Sequence, residues 1–171
     1  MDADIKNELE LFGLNDLVKR FDSVISGGWH VPCHTESSIH KINNHFGIVL
    51  PDSFLYFAKN SKKFGSWFCS FGEDYLSRQH VIRMNSHWRR RRTKRRIPSN
   101  LVIINIGFDE DCDCLDLNSL NESTGEYQIE YWNPYLDTPS NLRYNSFPHY
   151  IEHQIQCWED FRKNPYRHRD N

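Results

Sequence analysis

The sequence predicts an α+β fold, in which a mainly antiparallel sheet packs with N-terminal helices and one C-terminal helix. Apolar residues spaced three and four positions apart at 4–25, 35–47 and 146–162 indicate amphipathic helices. Apolar runs that are β-branched or alternate with polar residues, at 101–106, 112–117 and 127–132, indicate strands. Helices followed by strands and then a last helix are typical of α+β domains rather than of alternating α/β ones.

The N-terminal half is predicted to be mostly helical. Residues 4–25 predict two short helices, or one helix broken near Gly13. Thr35 is a suitable N-cap for a helix that stops at Gly47, and Pro51 suits the first turn of another helix.

The pattern is weaker between these helices and the sheet. Residues 65–72 place aromatic side chains between two glycines and predict a strand. Sparse apolar positions at 75–84 predict an irregular helix that runs into a basic stretch.

Residues 101–117 form the centre of the predicted sheet, with a buried strand, an acidic turn and a second strand. Alternation in the second strand sorts its side chains onto two faces. Asp113, Leu115 and Leu117 share one face, and Cys112, Cys114 and Asp116 share the other.

The remaining segments complete the sheet and add the last helix. In the third strand one face is expected to be uncovered, which would present Tyr131 or Trp132 to a partner. Residues 133–145 predict a loop, Ser146 an N-cap for the last helix, and 163–171 a frayed tail.

Length and composition predict a single domain over residues 1–171. A chain of 171 residues with 38% hydrophobic content can bury one core. Its first residues lack the pattern of a secretory signal, and no apolar run reaches membrane-spanning length. The five cysteines are odd in number and scattered, which favours reduced thiols. We therefore expect a cytoplasmic chain without a membrane segment.

Charge is strongly segregated, although the net charge is only −2. Positions 83–96 hold eight basic residues and no acid, whereas positions 97–161 hold twelve acids and one base, Arg143. Such asymmetry favours charged macromolecular partners.

The acidic turn after the first strand admits three interpretations. Its carboxylates could be solvated, could bind Ca²⁺ or Mg²⁺, or could contact a basic protein partner. The turn lacks the spaced glycine and terminal glutamate of an EF-hand loop, so we predict no metal site. The expected partner-binding residues are Asp109, Glu110, Asp111, Asp113, Tyr131 and Trp132.

The basic run is the second candidate site. It could be a solvated helix end, could contact an acidic protein surface, or could bind nucleic-acid phosphates while Trp88 stacks on a base. The residues expected to contact an anionic partner are Trp88, Arg89, Arg90, Arg91, Arg92, Arg95 and Arg96.

The sequence predicts neither a catalytic site nor a cofactor. Cys112 and Cys114 lack a matching second ligand pair at the spacing of a structural zinc site. His149 and His153 lie one turn apart on the last helix, but the neighbouring apolar residues predict that another face is buried. No histidine lies in a nucleophile-elbow or metalloprotease pattern.

The order of these features resembles the SUKH superfamily of Smi/Knr-type domains, over about residues 35–160. The stretches that carry the resemblance are Phe46-Gly47, Leu50-Pro51, residues 54–57, Ile97-Pro98, residues 101–106, Gly107, Asp109, residues 114–117, Tyr131-Trp132 and Ser146-Phe147. The chain departs from the family pattern at residues 60–62, where Asn-Gly-Gly is common, and in its more acidic turn at 107–111.

This resemblance implies a function that the residues alone do not indicate. Bacterial members of the superfamily are mostly cytoplasmic immunity proteins that bind and neutralise a polymorphic toxin, frequently a nuclease, encoded beside them. The implied partner is therefore a protein toxin. The alternative that the residues support is a nucleic-acid-binding protein that uses residues 89–96.

Overall fold

The computed structural model describes residues 3–25, 35–69, 80–90, 96–107, 110–136 and 142–163, with the backbone alone for 3–12 and Ser66. These ranges hold six helices and four strands. In chain order they are α1 (Ala3–Val24), α2 (Glu36–Phe46), α3 (Asp52–Asn60), α4 (Phe64–Trp67), α5 (Val81–Arg90), β1 (Leu101–Ile106), β2 (Cys112–Asn121), β3 (Glu126–Trp132), β4 (Arg143–Tyr144) and α6 (Phe147–Lys163). The α+β prediction is confirmed. No helix in the described ranges combines the length and apolar character needed to cross a membrane.

The strands form one antiparallel sheet in the order β1-β2-β3-β4. The β1–β2 pairing contains a bulge between Ile103 and Asn105. β2 pairs with β3 so that Cys112 lies opposite Trp132, and β4 adds two residues beside Ile129 and its neighbour. Consecutive strands are therefore neighbours throughout the sheet.

Helices cover both faces of this sheet. On one face, Ile129 and Tyr144 are register partners, and the Tyr144 ring lies 5.4 Å from that of Tyr150 on α6. On the other face, the Trp132 ring meets Trp88 of α5 edge-on at 5.5 Å between centroids. We call these the α6 face and the α5 face.

Aromatic rings from several helices fill the core beside α6. Phe57 of α3 lies 4.9 Å from Phe21 of α1 and 5.5 Å from Phe147 of α6, both edge-on. Phe54 contacts Phe147 at 4.8 Å. Edge-to-face pairs add to the free energy gained by burying apolar area, so these rings help to hold α1, α3 and α6 together.

Polar pairs on the surface fix α1 to its neighbours. Arg20 forms a bidentate pair with Glu152 of α6, with N···O distances of 2.8 and 3.0 Å. The Asp22 carboxylate accepts the backbone N–H groups of Lys62 and Lys63 at 2.9 and 3.2 Å. The chain between α3 and α4 is thereby tied to α1.

Glu126, at the start of β3, connects the β2–β3 hairpin to two helices. Its carboxylate accepts the backbone N–H of Phe147 at the start of α6 at 3.1 Å, and also the Ser53 hydroxyl. Burial raises the pKa of Glu126, while both hydrogen bonds lower it. This carboxylate therefore positions the hairpin against α3 and α6.

The predicted caps of α2 are confirmed. The Thr35 hydroxyl accepts the backbone N–H of Ser38 at 3.2 Å, and Gly47 adopts φ 67° beyond the last turn. The predicted break at Gly13 is wrong, because α1 continues through it; a Cβ at that position would meet nothing within 4 Å. Glycine lowers helix propensity there without ending the helix.

The predicted strand over 65–72 is also wrong in its described part. Residues 64–67 form a helix, and Phe64 and Phe68 stack at 4.6 Å because they lie one turn apart. Beyond this helix, the Cys69 N–H donates to the Ile104 carbonyl of β1 at 2.8 Å. Residues 70–72 lie outside the described residues. The many aromatic residues predicted a strand here, but the spacing of Phe64 and Phe68 is that of a helix, and these two rings pack accordingly.

The outer edge of β1 is closed by a side chain of α5. The Asn85 amide N–H₂ donates to the Ile103 carbonyl at 3.0 Å and to the Val81 carbonyl at 2.9 Å. Its carbonyl oxygen accepts the Ile103 N–H at 2.9 Å. Asn85 is fully buried, so these bonds satisfy strand-edge groups that water does not reach.

Replacing Asn85 by alanine should destabilise the protein by about 3 kcal/mol, because both Ile103 backbone groups would lose their partner in the core. Urea unfolding of the variant and the parent measures this difference. Asn44→Ala is the matched control, since Asn44 is exposed on α2; its free energy of unfolding should change by less than about 1 kcal/mol. Equal effects of the two substitutions would contradict the role of Asn85.

Candidate functional site: the acidic end of the sheet

Carboxylates and exposed apolar side chains meet where β2 begins and β3 ends. We call this surface the acidic end of the sheet; it consists of Glu110, Asp111, Tyr131, Tyr135 and Leu136. The Tyr135 hydroxyl donates to the Glu110 carboxylate, and the Tyr135 N–H donates to the Asn133 side-chain oxygen at 2.8 Å. These bonds connect the turn before β2 to the chain after β3.

The turn before β2 has a constrained backbone. The Gly107 N–H donates to the Asp111 carbonyl at 2.8 Å, and the Glu110 N–H donates to the Gly107 carbonyl at 3.3 Å. A Cβ on Gly107 would collide with the Asp111 carboxylate, and Glu110 itself adopts φ 62°. A non-glycine residue in the left-handed region is uncommon and costs conformational energy, so the fold holds Glu110 in a conformation that it would not adopt alone.

The exposed apolar groups of this surface come from the chain after β3. Tyr135 is 56% exposed and Leu136 is 47% exposed. Tyr131 is half-buried, and its hydroxyl accepts the Asn133 side-chain N–H at 3.5 Å. Burial raises the pKa of Tyr131 and the bond from Asn133 lowers it, whereas the charge of Asp111 and a hydrogen bond to that carboxylate raise it further. This phenol therefore stays neutral and contacts Asp111.

Asp113 points inward rather than toward a partner. It lies in a row with Asn105 of β1 and Tyr131 of β3 on the α6 face. Its carboxylate accepts the Tyr150 hydroxyl at 2.6 Å and the Asn105 N–H₂ at 2.9 Å. The Tyr150 hydroxyl in turn accepts the Trp67 indole N–H at 3.3 Å. This network joins the sheet to α6, so the expectation that Asp113 is a free surface carboxylate is wrong.

The expectation that Trp132 is exposed is also wrong. Trp132 is 5% exposed because its ring packs against Trp88 on the α5 face. Strand alternation predicted the two faces correctly but left open which of them is uncovered, and α5 covers the face of Trp132. Of the other predicted partner-binding residues, Glu110, Asp111 and Tyr131 are at the acidic end, and Asp109 lies outside the described residues.

The structure places the residues of the basic run in different environments. Trp88 is 3% exposed and cannot stack on a base without unpacking α5. Arg89 lies over the Phe46 ring at 5.7 Å and donates to the Ser99 and Leu101 carbonyls, each at 3.2 Å. Burial lowers the pKa of Arg89. Both residues are therefore structural rather than free contacts.

The remaining arginines of the predicted anionic-partner site have different positions. Arg90 and Arg96 are exposed. Arg91, Arg92 and Arg95 lie outside the described residues, as does the predicted tail beyond Lys163. Lys163 itself ends α6.

The carboxylates, thiols and imidazoles of the described ranges form no group of three or more that could hold a metal ion. Cys112 and Cys114 are both buried in β2, and burial raises their pKa values. Buried neutral thiols behave as small apolar side chains, which fits their place between the sheet and α5.

Comparison with protein families agrees with this architecture. The family model SUKH_5, described as SMI1-KNR4 cell-wall, matches residues 14–159. The chain belongs to this family. No curated protein matches it.

Membership of SUKH_5 confirms the predicted SUKH resemblance and extends it to α1. The match includes every strand and most of α6, so the acidic end lies within the family domain rather than on an appended segment. SUKH_5 membership is consistent with a toxin-immunity role.

Two residues of the acidic end were missed by the sequence analysis. Tyr135 and Leu136 lie in the segment predicted as a loop, where apolar side chains carried no periodic signal. The sequence feature that could have identified them is a pair of adjacent large apolar residues directly after Asn133-Pro134, because a turn cannot bury such side chains.

Asp113 should make the stability of the protein depend on pH. Burial raises its pKa in the folded state, with the charge of Asp111 in the same direction, while the bonds from Tyr150 and Asn105 oppose this. The folded protein therefore binds a proton more readily than the unfolded chain does. The resulting stabilisation is present below the ordinary carboxyl pKa of about 4 and is lost as the pH rises through the folded pKa.

Relative to the parent, Asp113→Asn should therefore gain free energy of unfolding as the pH is raised from 4 to 7. Urea unfolding at several pH values measures this difference. Glu122→Gln, at the exposed β2–β3 turn, is the control and should track the parent. If the Asp113→Asn and parent profiles ran parallel, Asp113 would not be the titrating group.

Proposed function

We propose that this chain is an immunity protein that binds a cognate protein toxin and neutralises it by occluding its active site or substrate groove. SUKH_5 membership supports this class of function. The observation that carries the proposal is the acidic end of the sheet, where the Glu110 carboxylate is bonded to Tyr135 and lies beside exposed tyrosine and leucine side chains.

The composition of the acidic end suits a protein partner. Stable protein interfaces need apolar or aromatic anchors that become fully desolvated, surrounded by polar groups that set orientation. Tyr135 and Leu136 supply such anchors, and Glu110 and Asp111 supply the charge. Tyr135 is already held by hydrogen bonds at both ends, which reduces the entropy lost when a partner binds.

The charge of this surface favours a basic partner. A nuclease toxin carries Lys and Arg side chains to hold nucleic-acid phosphates, and a row of carboxylates can occupy the same groups. Complementary charge also accelerates encounter, mostly through the association rate. A nuclease is therefore the toxin class that we favour.

Binding rather than catalysis also fits the nearest thiol–imidazole pair of the described part of the chain. Cys157 lies 3.6 Å from His153 on α6, a spacing seen in nucleophilic pairs. However, burial and the charge of Asp160 raise the pKa of Cys157. A thiol with a raised pKa is a poor nucleophile at neutral pH, so this pair supports no hydrolytic mechanism.

Removing the charges of the acidic end should slow association with the toxin encoded in the neighbouring reading frame. For Glu110→Gln with Asp111→Asn, the association rate constant at low salt should fall by about 3- to 10-fold, with little change in the dissociation rate. Stopped-flow mixing at low and high salt measures both. Glu36→Gln with Glu122→Gln removes the same charge from exposed positions elsewhere and should have a much smaller effect.

The apolar side chains of Tyr135 and Leu136 should affect the dissociation rate constant rather than the association rate constant. Tyr135→Ala with Leu136→Ala should raise the dissociation rate constant by about 10-fold or more, because most interface substitutions act on dissociation. Loss of toxin protection in cells should follow the dissociation rate. A parent protein that neither binds the toxin nor protects cells would refute the proposed function; normal binding by both double variants would refute the site alone.

A further inference from the structure

A thiol and an imidazole lie side by side on α6. Cys157 and His153 are four residues apart, which places both side chains on the same face of the helix, one turn from each other. The Sγ atom of Cys157 lies 3.6 Å from Nδ1 and 3.8 Å from Nε2 of His153. Cys157 is exposed and His153 is half-buried, so a small ion can reach both from solvent.

The separation of these donor atoms matches that of two ligands on one zinc ion. Zinc binds thiolate sulfur at about 2.3 Å and imidazole nitrogen at about 2.0–2.1 Å in a tetrahedral arrangement, which places the two donor atoms about 3.6 Å apart. The pair therefore needs little rearrangement to chelate the ion. Sulfur and imidazole nitrogen also select zinc over Ca²⁺ and Mg²⁺, which prefer oxygen ligands.

Tyr144 of β4 holds the imidazole of His153 in place. The Tyr144 hydroxyl lies 3.0 Å from Nδ1 of His153, and the two ring centroids are 5.0 Å apart. When Nε2 binds a metal ion, Nδ1 carries the ring proton and donates it in a hydrogen bond to this hydroxyl oxygen. Metal-binding histidines usually have their second nitrogen fixed in this way, which sets the tautomer and orients the ring. Tyr144 is therefore a positioning residue rather than a ligand.

Negative charge beside the pair also favours a cation. Burial raises the pKa of Cys157, and the charge of Asp160 raises it further. The same carboxylate that disfavours a free thiolate attracts a divalent cation, and a thiol that coordinates a metal ion loses its proton. The raised pKa that makes Cys157 a poor nucleophile is therefore compatible with metal binding.

We propose that Nε2 of His153 and Sγ of Cys157 form a zinc site on α6. The thiol proton passes to solvent as the Zn–S bond forms. The described residues form no three-ligand group here, so water occupies the remaining positions of a four-coordinate ion. Because two protein ligands bind more weakly than the four of a structural site, the expected dissociation constant is about 1–100 μM, and the zinc is exchangeable. Binding of zinc requires no toxin partner.

Calorimetric titration of the full chain with zinc chloride alone tests this proposal, on protein that has no polyhistidine tag and whose thiols are kept reduced. Cys157→Ser and His153→Gln should each weaken zinc binding by about 10-fold or more, because each leaves a single protein ligand. Tyr144→Phe should weaken it by about 10-fold, because the imidazole loses the hydrogen bond that orients it. Titration with Co²⁺ should give the near-ultraviolet absorption of a cobalt–thiolate bond in the parent, and Cys157→Ser should lose it.

Two control variants remove similar groups elsewhere. His149→Gln removes the exposed histidine one turn before His153. Cys33→Ser with His34→Gln removes the adjacent thiol and imidazole of the sequence, which lie outside the described residues. Each control should bind zinc within about 2-fold of the parent, as expected for independent positions. Circular dichroism without zinc should show that all variants are folded, because the substitutions are conservative or exposed.

Three results would overturn the zinc site. The first is no heat of binding at zinc concentrations up to about 1 mM. The second is parent-like affinity in Cys157→Ser. The third is a loss of affinity in either control as large as that in Cys157→Ser, which for His149→Gln would assign the ion to the His149–His153 pair. Parent-like affinity in Tyr144→Phe would contradict the positioning role of Tyr144.

Discussion

The architecture depends on burial of β2 and β3 on both faces. Tyr150 of α6 closes one face through its bond to Asp113, and Trp88 of α5 closes the other by packing against Trp132. A sheet covered on both sides leaves its ends and edges as the surfaces on which polar recognition groups can stand. Asn85 satisfies backbone groups of one edge, which leaves the strand ends and the outer sides of the helices as exposed surfaces.

This constraint explains the composition of the acidic end. It forms where the chain leaves the sheet, so the residues after β3 place exposed tyrosine and leucine beside the carboxylates. The outer side of α5 differs, because the apolar side of this helix packs toward the sheet and its exposed side carries basic residues.

The sequence predicted the elements whose signal is local. The bounds of β1 and the caps of α2 follow from β-branched residues and from Thr35 and Gly47, which act within a few positions. The sites were predicted less well, because burial depends on what covers a face. Trp132 and Arg89 have surface-like contexts in sequence but are enclosed by α5 and by the Phe46 ring, neither of which local periodicity can reveal.

Amide hydrogen exchange of the chain with and without the neighbouring gene product would show whether the acidic end binds the toxin. We expect new protection at residues 110–111 and 131–136, with exchange at the β2–β3 turn, residues 121–125, unchanged. Protection confined to that turn or to α5, with the acidic end unaltered in a complex that still forms, would contradict it.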